Sequence, residues 1–195
     1  MTATVIESPR RYTPEEFELL PDVQRYELFG GYLLERNMSF YSGMVSNEIS
    51  WRVSVHAHSH SLGRVLGVAS GLQIFPNNPS RVVFTDGAFI GNGRAPGGYP
   101  LRGWGHTAPD LVWEVVSPTD LAEDVQSKAR DYLSAGVRLV WVVYPRTRHV
   151  DVYRIDGSSS IVNATDVLSG EDILPGFEVL VGDLFPPVED EDSAE

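Results

Sequence analysis

Hydrophobic positions recur along this chain with two periods, one typical of helices and the other typical of strands. Thr13-Pro14-Glu15-Glu16 is a capping box with proline at the first helical position, which predicts a helix continuing to Leu20. Tyr26–Phe29 and Tyr32–Glu35 flank Gly30-Gly31, a pattern typical of a tight β-hairpin. A short helix and a hairpin are therefore expected ahead of the main body of the chain.

The middle of the chain continues with one helical and two strand-like patterns. Apolar residues at helical spacing predict a helix over Gly43–His60. Arg64–Phe75 and Arg81–Ile90 are rich in strand-forming residues and are separated by the turn Pro76-Asn-Asn-Pro79. Gly91–His106 is then a long loop rich in glycine and proline. It lacks the Gly-Lys-Ser/Thr sequence of a phosphate-binding loop. Three of its residues could contact a polyanion: Arg94, Arg102 and Trp104. The alternative is that the segment is a variable surface loop.

The second half of the chain predicts a βαβ unit. Leu111–Val116 resembles a strand, Ser117–Gly136 an amphipathic helix and Val137–Tyr144 a strongly apolar strand. Such a unit is expected to be right-handed with parallel strands. Arg148–Ile155 should pair back as a hairpin. Two weaker strand-like patches follow at Ser160–Val162 and Phe177–Leu180. Together these patterns predict a single α/β domain over residues 1–187.

The one lysine of the chain, Lys128, lies on the apolar stripe of the predicted helix. It follows Val125 by three residues and precedes Tyr132 by four, so all three share a helical face. A buried lysine is rare unless it is paired with an anion. Glu114, within the preceding strand, is a carboxylate at an equally costly position. The two residues suggest a site, although a structural salt bridge or a lysine whose amine reaches water would fit as well.

Further carboxylates could join that pair. Asp110 and Glu114 share a strand face, but four residues separate their Cα atoms by roughly 13 Å, too far to share one small ion unless the start of the strand bends. Asp86, an acid inside an apolar strand, is the better second ligand, with a turn or bulge before Gly87 as its alternative role. Asp110 could instead cap its strand or hold a water. Glu27 is a candidate auxiliary acid or a cross-strand partner of an arginine.

Two carboxylates with a nearby ammonium suit phosphodiester hydrolysis with Mg²⁺. A hard cation takes oxygen ligands and retains several waters, so two carboxylates and a substrate phosphate suffice. The metal lowers the pKa of a bound water, while an ammonium stabilises charge on the phosphoryl oxygens. We therefore expect Asp86 and Glu114 to bind Mg²⁺, with Mn²⁺ as a substitute and Lys128 assisting.

Composition limits the other possibilities. The 195 residues carry a formal charge of −12, which argues against a general nucleic-acid coat protein but still permits a local basic patch. Five of the acids lie in Val188–Glu195, a segment predicted to be a disordered tail, and without them the charge is −7. The absence of cysteine excludes disulfides and thiolate metal sites. No apolar segment resembles a signal peptide or a membrane span, so we expect a cytoplasmic protein.

A longer string of these residues resembles a known family. It comprises Tyr26-Glu27-Leu28, Gly31, Asp86, Pro109-Asp110-Leu-Val-Trp-Glu114-Val-Val-Ser117-Pro118, Lys128, Tyr132, Gly136-Val137 and Trp141-Val-Val. The string is similar to the Uma family of putative restriction endonucleases, within the PD-(D/E)XK nuclease superfamily. The resemblance covers about residues 12–185. It implies a restriction-endonuclease-like mixed β-sheet core flanked by helices, with an N-terminal β-hairpin extension.

The resemblance also implies roles for individual residues. Asp86 and Glu114 would be the metal-binding acids, and the lysine would have moved onto the following helix as Lys128. DNA would be the substrate, and restriction-type cleavage of a duplex favours a homodimer, with a monomer that nicks one strand as the alternative. The chain departs from the family pattern at Thr85, where proline is usual, and at Val45, where a histidine is common. The acidic surface keeps an alternative open, a catalytically idle nuclease-fold protein acting as a regulatory or interaction module.

Overall fold

The computed structural model describes residues 10–36, 39–68, 70–95 and 97–187, and the predicted tail lies outside them. Three α-helices occur in these residues: α1 (Pro14–Glu18), α2 (Phe40–Ser59) and α3 (Ala122–Ser134). The strands are β1 (Tyr26–Phe29), β2 (Tyr32–Glu35), β3 (Gly63–Leu66), β4 (Gly71–Leu72), β5 (Val83–Phe84), β6 (Gly87–Gly91), β7 (Leu111–Val115), β8 (Leu139–Tyr144), β9 (His149–Arg154), β10 (Ser159–Asn163), β11 (Val167–Ser169) and β12 (Glu178–Leu180).

A six-stranded mixed sheet forms the centre, in the order β10-β9-β8-β7-β6-β3. Strands β7 and β8 are parallel and joined through α3, as the βαβ pattern predicts, and the other neighbours are antiparallel. Three two-stranded ribbons accompany the sheet: β1-β2, β4-β5 and β11-β12. The predicted fold class, a mixed sheet with flanking helices and an N-terminal hairpin, is confirmed. Within the described residues, no helix is long and apolar enough to span a lipid bilayer.

The two faces of the sheet bury different sets of side chains. Leu111, Trp113 and Val115 of β7 pack with the buried face of α2 and with the C-terminal ribbon. Val112, on the opposite face, packs with the side of α3 that carries Tyr132. The alternation follows from the two-residue period of a strand. Glu114 is two residues after Val112, so it lies on the same face of the strand and points toward α3.

The hairpin is held against this body through backbone hydrogen bonds. Leu28 and Val82 exchange two N–H···O=C bonds, each of 2.9 Å. Gly30 and Gly31 both have positive φ, which a tight two-residue hairpin turn requires. The hairpin strands have the predicted bounds, and their docking at Val82 places Glu27 beside the central sheet.

Three predicted segments differ from the structure. Arg64–Phe75 and Arg81–Ile90 were each expected as a single strand, but each forms two short strands, and the second breaks at Thr85-Asp86. Helix α3 begins at Ala122 instead of Ser117, because Ser117 precedes a proline and its N–H donates to the Asp120 carboxylate at 2.7 Å. Strand β11 has no counterpart among the predicted elements.

Candidate active site

Glu114 and α3 form one wall of a cleft beside the hairpin. Lys128 Nζ donates to Glu114 Oε2 at 3.1 Å, and the Tyr132 hydroxyl donates to Glu114 Oε1 at 2.7 Å. Lys128 and Tyr132 are four residues apart on α3 and therefore lie on the same face, above β7. The predicted pairing of the chain's lysine with the strand carboxylate is present in the structure.

Asp86 is fixed at the break between β5 and β6. Its Oδ2 accepts the Val115 backbone N–H at 2.7 Å, and its backbone carbonyl accepts the Ser46 hydroxyl of α2 at 2.7 Å. Gly87 follows because a Cβ there would lie 2.1 Å from the Trp113 ring. The break in the strand thus turns the Asp86 carboxylate toward the residue next to Glu114.

The hairpin contributes the third carboxylate. Glu27 Oε1 accepts Lys128 Nζ at 2.7 Å, so one ammonium bridges Glu27 and Glu114. Arg36 lies 3.5 Å from Asp86 Oδ1 and 3.9 Å from Glu27 Oε1, and its guanidinium stacks over the Phe84 ring. Glu27, Asp86 and Glu114 are therefore connected through two cations that come from different elements.

Arg36 was not among the residues predicted from the sequence. The hairpin register contains the signal that could have identified it. Glu27 lies opposite Leu34, and Arg36 shares a strand face with Leu34, so Arg36 lies diagonally across from Glu27.

The cleft encloses about 360 Å³ and has an excess of negative charge. Among the described residues, seven acidic and three basic side chains line it, and one of the acids, Glu35, is paired at 3.3 Å with Arg25. The acids are Glu27, Glu35, Asp86, Glu114, Asp120, Asp124 and Asp131, and the cations are Arg36, Arg81 and Lys128.

The charge excess and the burial shift the pKa values of the cleft residues. Burial, with Asp86 and Glu27 adding to it, raises the pKa of Glu114 to about 7, although Lys128 opposes the shift. Burial likewise raises the pKa of Asp86. Burial alone would lower the pKa of Lys128, but Glu114 and Glu27 raise it above its ordinary value. Lys128 is thus an ammonium at neutral pH, and Glu114 titrates near neutrality.

Asp110 does not join this cluster. Its Oδ2 accepts the Gly91 backbone N–H at 2.8 Å, and its Oδ1 lies 3.3 Å from Arg94 and 3.7 Å from Arg138. These contacts cap the start of β7, and strand capping was the alternative role expected for Asp110.

In the loop over 91–106, two of the three residues suggested for binding a polyanion make contacts within the protein. Arg94 is engaged by Asp110, and Trp104 is buried against Phe17 with its indole N–H donating to the Pro14 carbonyl at 3.0 Å. Val45, at the position where the resemblance would favour a histidine, is fully buried in the core.

The donor chemistry of the cleft fits a hard divalent cation. Carboxylate oxygens are the ligands that Mg²⁺ prefers, and the surplus of negative charge and the raised pKa of Glu114 are what a bound cation would relieve. Across the described residues, no three His, Cys, Asp or Glu side chains form a ready metal-binding group. A Mg²⁺ site in this cleft would therefore consist of two carboxylates, with waters as the remaining ligands.

The chain was compared with known proteins at the levels of sequence and structure. Residues 14–182 match the family Uma2, described as "Putative restriction endonuclease". A crystal structure described as a putative nuclease belonging to DUF820 from Anabaena variabilis superposes with a TM-score of 0.71 at 18% identity. The match covers 89% of this chain and 97% of that one. This likeness shows a shared fold, and the comparison with curated proteins gave no match. Because the family match spans most of the chain, the protein belongs to the Uma2 family of putative restriction endonucleases.

Proposed function

We propose that this protein is a Mg²⁺-dependent DNA endonuclease that hydrolyses phosphodiester bonds, with Mn²⁺ able to replace Mg²⁺. The observation that carries the proposal is the meeting of Asp86, Glu114 and Lys128 in one cleft. They come from a strand break, a strand and a helix. The family description supports nuclease chemistry in general terms. Only the metal, the residue roles and the DNA substrate go beyond it.

Asp86 and Glu114 are the proposed metal ligands. Both carboxylates are largely buried, and each is oriented by a neighbour, the Val115 N–H for Asp86 and the Tyr132 hydroxyl for Glu114. Orientation by such outer contacts is typical of residues that hold metals. A bound Mg²⁺ supplies Lewis acidity toward a phosphoryl oxygen and lowers the pKa of a coordinated water. We place this site in the PD-(D/E)XK class, with its lysine on the helix that follows the strand.

Lys128 acts in this proposal as a fixed positive charge. Its raised pKa keeps it protonated at neutral pH, so it stabilises negative charge on the phosphoryl oxygens and does not remove a proton. Glu27 holds the ammonium at 2.7 Å and keeps it above Glu114. Arg36, between Glu27 and Asp86, is the second cation that could face a phosphate.

The acid excess of the cleft makes substrate binding dependent on cations. DNA phosphates would be repelled by the excess of acids in the cleft, and a divalent ion bound there would reduce that repulsion. Both DNA binding and DNA cleavage should therefore require Mg²⁺ or Mn²⁺. The same acidity is the observation that favours the alternative, an idle nuclease-fold protein that acts as a regulatory or interaction module.

Purified protein incubated with supercoiled plasmid and Mg²⁺ or Mn²⁺ tests the proposal, alongside Lys128→Ala. The expected result is conversion to nicked or linear DNA by the wild type, with none by the variant or in EDTA. Arg64→Ala is the matched control, because Arg64 is exposed on β3 away from the cleft, and it should cut like the wild type.

A readout independent of cleavage separates the two candidate functions. Isothermal titration with Mg²⁺ should show binding that Glu114→Gln abolishes. Binding without cleavage of any plasmid would support the idle module, and cleavage that persists in Lys128→Ala would remove Lys128 from the mechanism.

A further inference from the structure

Helix α2 is apolar on two opposite faces. One face packs into the core through Val45, Ile49, Val53 and Ala57. The other carries Phe40, Met44, Trp51 and Val55, which are 87%, 41%, 59% and 50% exposed. A surface helix of a monomer normally turns polar residues toward solvent. A row of large apolar side chains along a whole helix marks an interaction surface instead.

The exposed row has the spacing of a single helical stripe. Phe40, Met44, Asn47, Trp51 and Val55 follow one another by four, three, four and four residues, over about 22 Å of helix. The spacings between its four apolar residues, four, seven and four, are the same in either direction along the helix, and the centre lies between Asn47 and Glu48. Inversion exchanges Phe40 with Val55, Met44 with Trp51, and Asn47 with Glu48.

We propose that this stripe is the interface of a two-fold homodimer in which α2 packs antiparallel against α2 of a second copy. A two-fold interface must be self-complementary, and the symmetric spacing of the apolar residues lets each of them face an apolar residue of the second copy. The two-fold axis passes between Asn47 and Glu48. Phe40 then meets Val55 of the second copy, and Met44 meets Trp51.

A shallow groove on the helix supports this register. Its walls are Ser39, Phe40, Gly43, Met44 and Asn47. Four of these residues stand in the i, i+3, i+4, i+7 relation of the hole that receives a side chain when two helices pack. The proposed axis places Trp51 of the second copy over the centre of this hole. Gly43 has no side chain, so it leaves room for the indole.

Charge also favours a second copy of this chain at α2. The whole chain carries −12, and repulsion opposes the approach of most of its surface to another copy. The charged side chains of Phe40–Ser59, with neutral histidines, are Glu48 and Arg52, and they form an ion pair of 2.7 Å beside the stripe. The opposite flank is formed by Gly43, Ser50 and Ser54. The helix therefore presents no net charge to its equivalent.

The proposed interface leaves the cleft accessible. None of the stripe residues lines the cleft, and α2 packs on the sheet face opposite α3. The dimer would consequently hold two open clefts on one particle. The interface is independent of whether those clefts cut DNA.

Light scattering at tens of micromolar protein tests the interface. The wild type should have the mass of a dimer, and Trp51→Glu should be a monomer with an unchanged circular dichroism spectrum. Leu19→Glu, at the C-terminal end of α1 and 84% exposed, is the matched control and should remain a dimer. A wild-type monomer at every salt concentration, or a dimer that persists in Trp51→Glu, would overturn the proposal.

Cysteine cross-linking tests the register without disturbing the apolar contacts. The chain has no cysteine, so a single introduced thiol reports only on itself. Asn47→Cys lies next to the proposed axis and should form a disulfide-linked dimer under mild oxidation. His58→Cys lies on the same exposed face, but the axis would separate the two copies of it by roughly 30 Å, so it should not cross-link. Equal cross-linking at both positions, or none at Asn47→Cys, would overturn the antiparallel register.

Discussion

The two ends of strand β7 carry the same kind of residue in opposite circumstances. Asp110 and Glu114 are four residues apart on one face, and both are largely buried. Asp110 faces two arginines and a backbone N–H, and no other acid is among those partners. Glu114 shares one lysine with Glu27 and lies beside Asp86, in a cleft where acids outnumber cations.

The comparison shows how charge balance separates a structural carboxylate from a candidate catalytic one. A carboxylate whose partners neutralise it contributes to folding, and its removal takes a counter-ion from those partners. A carboxylate with too little compensation is held at a cost to the folded state, and its pKa rises. A strongly shifted pKa of a buried carboxylate is typical of functional sites.

Substitution at the Glu114 end should have the largest effect on activity. Glu114→Gln retains the shape of the side chain but removes the charge that would hold a metal. If the proposed mechanism is right, the rate of plasmid cleavage should fall by about 10³-fold, which corresponds to several kcal/mol of lost transition-state stabilisation. Single-turnover cleavage under saturating Mg²⁺ measures this loss. Circular dichroism should show an unchanged fold, and activity within tenfold of wild type would contradict the role of Glu114.

Substitution at the Asp110 end should instead affect stability. Asp110→Asn removes the negative charge that Arg94 and Arg138 share. Both arginines are partly exposed and Arg138 retains Asp172, so we expect a loss of about 2 kcal/mol in the free energy of unfolding. Urea denaturation measures that loss, and cleavage per folded molecule should be unchanged. A variant as stable as the wild type but inactive would reverse the assignments of the two acids.

The pH dependence of stability should report on the protonation of Glu114. Burial raises the pKa of Glu114 from 4.5 to about 7, so between these values the folded protein holds a proton that the unfolded chain has lost. Stability must therefore fall as pH rises from 4.5 to 7, by at most about 3 kcal/mol from this residue. Thermal melting of metal-free wild type and Glu114→Gln at pH 5 and 8 isolates the effect.

The Glu114→Gln variant should lose less stability between pH 5 and 8 than the wild type. Mg²⁺ should raise the melting temperature of the wild type more at pH 8 than at pH 5, because the metal requires an ionised carboxylate. Equal pH dependence in the two proteins would mean that Glu114 is ionised throughout this range.

Local sequence patterns predicted most of the central fold. The glycine pair at Gly30-Gly31 defined the hairpin bounds, and the apolar spacing of Val45, Ile49 and Val53 identified the buried face of α2. The errors occurred where tertiary contacts override local preference. The strand expected over Arg81–Ile90 breaks at Asp86, because that carboxylate bonds the Val115 N–H of a neighbouring strand. No local pattern reports such a contact.

The sequence likewise predicted only those site residues that local position makes conspicuous. Lys128 and Glu114 stand at positions where burial makes an unpaired charge costly, so the sequence itself marks them. Arg36 and the Asp110–Arg94 pair depend on how distant segments meet, and only the folded chain brings them together. The excess of acid in the cleft is likewise a property of the assembled walls, since its residues come from five separate parts of the chain.

The smallest expected effect belongs to Tyr132, whose hydroxyl donates to Glu114 Oε1 at 2.7 Å. A hydrogen bond to a carboxylate favours its ionised form, so Tyr132→Phe should raise the pKa of Glu114 further. We expect the acidic limb of the pH–activity profile to move upward by about one unit, equivalent to roughly 1.4 kcal/mol, with the maximal rate retained at high pH. Tyr144→Phe, at a tyrosine outside the cleft, is the matched control and should leave the limb in place. A Tyr132→Phe profile that falls uniformly at every pH would show instead that the hydroxyl acts on the substrate and not through the ionisation of Glu114.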